Sequence, residues 1–129
     1  VRADLETASR FLESARSAWG GHAPPAAWFH YAGVAAFMKG DPAMAAEILA
    51  DGVSKYPASA VLLNNLSVAN EATGNFDAAR RALERAAQTD CAMPQLYRNL
   101  GDSLERQGRA EEAREAYRRA AASTGATGR

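Results

Sequence analysis

The sequence predicts an all-α fold, an array of antiparallel helix pairs with about seven helices. Three observations point there. A step of 34 residues joins Gly40, Gly74 and Gly108, and the same step joins Ala45, Ala79 and Ala113, Phe29, Leu63 and Tyr97, Leu49, Leu83 and Tyr117, and Gly33, Ser67 and Gly101. A fixed period of that length marks a stacked repeat. Within each period lie two apolar stripes at helical spacing, such as Leu96, Tyr97, Leu100 and Leu104 followed by Ala113, Ala116, Tyr117 and Ala120. Between the stripes sits a glycine able to adopt the left-handed turn that ends a helix.

Taken in order, residues 4–19 place Leu5, Ala8, Phe11, Leu12, Ala15 and Trp19 on one helical face. This segment reads as the second helix of an earlier unit, the alternative being an N-terminal cap, and the irregular stretch at 20–25 closes a first section, 1–25. Units follow at 26–59, 60–93 and 94–127, the whole forming one domain. Asp41 followed by Pro42 predicts an N-cap with proline at the first helical position, and Ser59 and Asn75 are placed to cap the next helices. Small residues at Gly33, Ser67 and Gly101 predict close approach of the two helices within each pair, since a glycine inside a helix otherwise costs about 1 kcal/mol against alanine. Residues 124–129 are expected to form a disordered tail.

This pattern resembles the tetratricopeptide repeat over residues 26–127. The third unit matches most fully, with Tyr97, Leu100, Gly101, Leu104, Gly108, Ala113, Tyr117 and Ala120; the second carries Asn70 where a large apolar residue is usual. The first has Ala32, Ala36 and Gly52 where larger or more helix-favouring residues are typical. The resemblance implies a right-handed superhelix whose concave groove, lined by the first helix of each pair, holds a peptide or a partner helix. The implied groove positions are His30, Val34, Phe37 and Met38, then Asn64, Asn65, Val68 and Glu71, then Gln95, Arg98, Asn99, Asp102 and Arg106. Of these, Asn65 is of the kind that clamps a ligand backbone, Arg98 and Arg106 could meet acidic groups, and Phe37 and Met38 could take an apolar anchor unless the N-terminal helix covers them. Co-chaperones of the family hold chaperone tails with two lysines, two asparagines and an arginine; only Asn65 matches here, the other positions being His30, Val34, Gln95 and Asn99. The resemblance therefore implies no binding of such tails.

Composition narrows the remaining classes. Fifteen Lys and Arg balance fifteen Asp and Glu, and 47% of residues are apolar, so a core can form without a basic field for nucleic acid. No apolar stretch approaches the roughly 20 residues of a membrane helix, which predicts a soluble domain. The single cysteine, Cys91, cannot form an internal disulfide and suggests a cytoplasmic setting. The chain begins at Val1 without methionine or signal segment, reading as a piece of a longer protein, and its arginine- and alanine-rich composition hints at a GC-rich bacterial genome.

No residue set points to catalysis, a cofactor or a metal. His22 and His30 have no cysteine or carboxylate cluster at ligand spacing, Cys91 has no accompanying base and reads as structural, and Gly20-Gly21 lacks the strand and lysine of a phosphate loop. Asn65-Leu66-Ser67 fits a glycosylation pattern but falls inside a predicted helix. The arginines at 80, 81 and 85 and at 114, 118 and 119 invite an RNA reading, yet Asp77 with Arg81, Arg80 with Glu84 and Glu115 with Arg119 stand four apart, as on a solvated, salt-bridged helix. The sequence thus predicts a non-catalytic adaptor that binds another protein through its groove. Two alternatives stay open: a homo-oligomeric scaffold assembled through uncapped repeat ends, and a regulatory or docking domain of a larger enzyme.

Overall fold

A computed structural model describes residues 2–89 and 94–127. The helices are α1 (Arg2–Ala18), α2 (Ala26–Met38), α3 (Pro42–Lys55), α4 (Ala60–Ala72), α5 (Phe76–Ala87), α6 (Pro94–Arg106) and α7 (Ala110–Thr127), with no strand among the described residues. The pairs α2/α3, α4/α5 and α6/α7 are hairpins, and they stack through α3 on α4 and α5 on α6 as a right-handed superhelical array. Cys91 lies outside the described residues.

Local chemistry explains where the helices begin and end. The Asp41 carboxylate accepts a 3.0 Å hydrogen bond from the amide of Met44, with Pro42 opening the helix, and Ser59 Oγ accepts one from Leu62 at 3.3 Å. Asn75 departs from expectation. It precedes α5 but makes no side-chain cap; its amide is turned back to donate to Thr73 Oγ1 at 3.2 Å. The first helices all stop the same way, at Gly40, Gly74 and Gly108 with φ of 88°, 84° and 75°, values that favour glycine. Of the expected tail, residues 124–127 belong to the helix α7 and residues 128–129 lie outside the described residues. Extending a formed helix needs only one more hydrogen bond per residue, a far smaller demand than starting one.

Inside the first hairpin two glycines face large side chains. A Cβ on Gly33 would stand 2.6 Å from Leu49, and one on Gly52 would stand 2.7 Å from Phe29. Gly52, which sequence reasoning set down as a departure from pattern, is thus where Phe29 enters the core; Phe29 is 1% exposed. Around it gather Trp28, Ala32, Ala36, Leu49, Val53, Leu62 and Leu63. Ala32 and Ala36 are buried, and with Leu12, Trp28 and Ile48 they line a hollow between α1, α2 and α3. Trp28 meets Phe29 edge-on at 5.1 Å and donates from Nε1 to the Leu12 carbonyl at 2.8 Å, tying α1 to α2. Tyr56 likewise donates to the Pro24 carbonyl at 2.8 Å, fixing the irregular linker against the end of α3.

The third hairpin closes differently. A Cβ on Gly101 would come within 2.5 Å of the Tyr117 ring, and Leu104, Ala113 and Ala116 form a smaller core beside it. Tyr97 sits at the junction with the second hairpin, its hydroxyl donating to the Ala87 carbonyl at 3.1 Å.

Candidate binding groove

Helices α2, α4 and α6 line one side of the array and carry every residue that the sequence assigned to a groove. Their polar members are engaged with one another. Asn65 Nδ2 lies within hydrogen-bond distance of His30 Nδ1, at 2.6 Å. One unit along, Asn99 Nδ2 donates to Asn64 Oδ1 at 2.8 Å, and Gln95 donates to Asn99 Oδ1 at 2.8 Å. Farther down the same helices, Arg106 grips Glu71 with Nη2 to Oε2 at 2.7 Å and Nε to Oε1 at 3.3 Å. That carboxylate raises the Arg106 pKa above its usual value, chiefly through the hydrogen bond.

Three of these links, His30 to Asn65, Asn64 to Asn99 and Glu71 to Arg106, span 35 residues each. They form a ladder between neighbouring first helices. The repeat step is 34, so each link joins a position in one unit to the next position along in the following unit. Sequence reasoning missed this ladder, although the pairing of Glu71 with Arg106 at one more than the repeat step was a signal that could have exposed it.

Asp102 is engaged too, but within its own unit. Tyr117 donates to its Oδ1 at 2.6 Å, and that bond is the main reason the Tyr117 hydroxyl is pushed well above the usual phenol range; burial and the charges of Asp102 and Glu105 add to it. Arg98 is exposed and has no hydrogen bond or ion pair among the described residues.

What remains unengaged near the first two units is apolar. Val34, Phe37 and Val68 border a hollow of about 100 Å³ whose floor is Gly33 and Leu49 and whose polar wall is Asn65. Phe37 and Val68 are 39% and 44% exposed, so α1 does not cover Phe37. Nor does it cover Met38, 61% exposed, but Met38 stands apart from the hollow. The site therefore pairs an apolar hollow at one end with a guanidinium that has no partner among the described residues at the other, joined by a strip of amides bonded to one another.

The charged faces behave as the sequence suggested, with one change of partner. Arg80 bonds Glu84 at 2.9 Å and approaches Asp77 at 3.9 Å, while Glu115 meets both Arg118 and Arg119. Asp77 thus pairs with Arg80, three residues on, instead of with Arg81. Among the described residues no group of three or more His, Cys, Asp or Glu side chains could hold a metal ion, and no helix is long and apolar enough to cross a membrane.

A family model described as tetratricopeptide repeat matches residues 64–127. No curated protein matches the chain. Among solved structures, one of MamA superposes with a TM-score of 0.79 at 20% identity, covering 91% of this chain and 68% of that one. MamA from Desulfovibrio magneticus gives 0.83 at 16% identity, covering 96% and 68%. The second tetratricopeptide domain of Spaghetti (RPAP3), solved with the HSP90 peptide SRMEEVD, gives 0.69 at 19% identity, covering 76% of this chain and 91% of that one. The shared fold extends over the hairpins on which the 34-residue step was read, and the chain belongs to the tetratricopeptide repeat family.

Proposed function

We propose that this chain is a non-catalytic protein-binding module that holds a peptide or partner helix in the groove formed by α2, α4 and α6. The observation that carries this reading is the contrast within the groove. Its amides and Glu71 are already bonded to neighbours, whereas Val34, Phe37 and Val68 leave apolar surface around an open hollow and Arg98 keeps an unpaired charge. Binding energy concentrates where apolar anchors enter such hollows, and engaged polar groups contribute shape and register.

The occupant that suits this groove carries an aliphatic or small aromatic anchor for the hollow and an acidic residue for Arg98. In the RPAP3 domain the bound ligand is the HSP90 peptide SRMEEVD. For this chain such a peptide is disfavoured, because His30, Val34, Gln95 and Asn99 stand where the clamp would need lysines, asparagine and arginine, and Asn65 is already held by His30. The balanced charge of the chain argues against a nucleic-acid ligand, and the single cysteine fits a cytoplasmic setting.

Selection from a displayed random-peptide library against the wild-type chain and against Phe37→Asp/Val68→Asp tests the proposal. The expected result is enrichment of sequences with one apolar anchor and an acidic residue separated from it along the peptide, bound by the wild type and lost in the double variant. Absence of enrichment, or selected peptides that bind the double variant equally well, would overturn it.

A further inference from the structure

The first unit departs from the other two where it meets α1. It has Ala32 and Ala36 on α2, whereas the same positions one and two units along hold Leu66 and Leu100, and Asn70 and Leu104. Leu66 and Leu100 pack against the cores beside them, and Leu104 is buried. The first unit moves that bulk sideways. Trp28 stands where the later units have Leu62 and Leu96, and Ile48 where they have Ala82 and Ala116. A low alanine floor between taller walls leaves a hollow of about 390 Å³, which Leu12 of α1 also borders. That volume falls in the range of small-molecule sites, roughly 300–1,000 Å³.

The rim of the hollow carries positive charge that the fold does not use. The Arg16 guanidinium lies over the Trp28 ring, 5.2 Å from its centre. Neither it nor the Lys39 ammonium has an ion pair or a side-chain hydrogen bond among the described residues. Two carboxylates share the rim. Asp41 is already bonded to the Met44 amide, and Glu13 is exposed. The later units have Ala50 and Glu84 in place of Arg16, and Thr73 and Gln107 in place of Lys39, so these cations accompany the hollow and are no feature of the repeat.

We propose that the hollow between α1, α2 and α3 binds a small monocarboxylate, its compact hydrocarbon body over Ala32 and Ala36 and its carboxylate at Arg16. The body would leave water for a surface of alanine, indole and isoleucine. Arg16 is the cation that suits the head, because its guanidinium is already laid on the apolar wall and offers a carboxylate paired donors. Glu13 opposes a second negative charge, which disfavours a phosphate or a dicarboxylate. The inference is independent of the groove proposal, since this hollow shares no lining residue with the one bordered by Val34, Phe37 and Val68.

The test is an NMR titration of the isotopically labelled chain with octanoate and, in parallel, with 1-octanol. The expected result is saturable octanoate binding with a Kd near or below about 1 mM, and shifts centred on the Trp28 indole, Ala32, Ala36 and Ile48. Ala32→Leu, which installs the residue of both later units, should weaken binding at least about tenfold while the melting temperature holds or rises. Arg16→Gln should weaken octanoate about fivefold and leave 1-octanol unchanged. If Ala32→Leu does not fold, the shift map and the Arg16→Gln comparison decide. The proposal is overturned by the absence of saturable shifts up to about 10 mM octanoate, by shifts centred on Phe37 and Val68, or by undiminished binding in a folded Ala32→Leu chain. An equal effect of Arg16→Gln on both probes would overturn the assignment of the carboxylate to Arg16.

Discussion

In the first hairpin, Gly33 admits Leu49 and Gly52 admits Phe29, so each helix receives a large side chain from the other. In the third hairpin only Gly101 is so used, and Ala120 stands where Gly52 does; the side chain it admits is Tyr117, whose hydroxyl reaches out to Asp102. One hairpin is interlocked by aliphatic and aromatic contacts, the other by a single contact with a polar end. Their surfaces differ in the same direction. The first leaves Tyr31, Phe37 and Met38 exposed, whereas the third shows Gln95, Arg98, Asp102 and Arg106. One backbone plan therefore supports a more apolar end and a charged, solvated end.

The largest expected difference concerns the two close approaches. At Gly52 an added methyl meets Phe29 at its Cβ, next to the backbone of a fully buried residue that cannot swing away. At Gly101 it meets only the ring of Tyr117, which is partly exposed and can turn. Gly52→Ala should therefore destabilise by about 1–3 kcal/mol despite its better helix propensity. Gly101→Ala should change stability by less than about 1 kcal/mol, since the propensity gain offsets a small displacement. Chemical denaturation of both variants measures this, and equal losses would remove the distinction between the hairpins. The bulkier Gly101→Leu exceeds what the ring can yield and should lower the melting temperature by several degrees.

Next in size is the ladder. Asn65→Ala removes the partner of a half-buried His30 and should cost about 1 kcal/mol. A variant as stable as the wild type would mean that the amide is free for ligand after all. Glu71→Gln should cost less, about 0.5 kcal/mol, because Arg106 is more than half exposed, and the loss should shrink in high salt. A loss independent of salt would contradict an ion-pair origin.

The smallest effect is alkaline. Folding favours the protonated Tyr117 hydroxyl, because it donates to Asp102, so its folded pKa lies above its unfolded one. The stability it contributes is complete below the unfolded phenol pKa of about 10 and disappears as pH rises through the folded value. Tyr117→Phe should flatten this part of the stability profile. An unchanged alkaline slope in that variant would assign the effect to other groups.

Much of the fold was legible because its determinants are local or periodic. The 34-residue step located three of the four left-handed glycines, the Asp41 and Ser59 caps followed from residue type, and the small residues at 33 and 101 announced close helices. Gly52 was misjudged because its role depends on how deeply Phe29 is inserted, which column matching cannot show. Asn75 was misjudged because a competing acceptor, Thr73, stands two residues away. The residues assigned to a groove all lie on α2, α4 and α6, but which of their side chains are engaged was not legible. Whether Asn65 faces a ligand or His30 depends on the spacing and rotation between helices of different units, and no single helix encodes that.

The central claim is that the apolar hollow between α2 and α4 is the anchor point for a protein ligand. Calorimetric titration of a selected peptide into the wild type, Phe37→Asp and Arg98→Ala tests it most directly. The account predicts that Phe37→Asp abolishes binding and that Arg98→Ala weakens it by about tenfold or less, as for a partly solvated charge. Undiminished binding by a folded Phe37→Asp chain would contradict it.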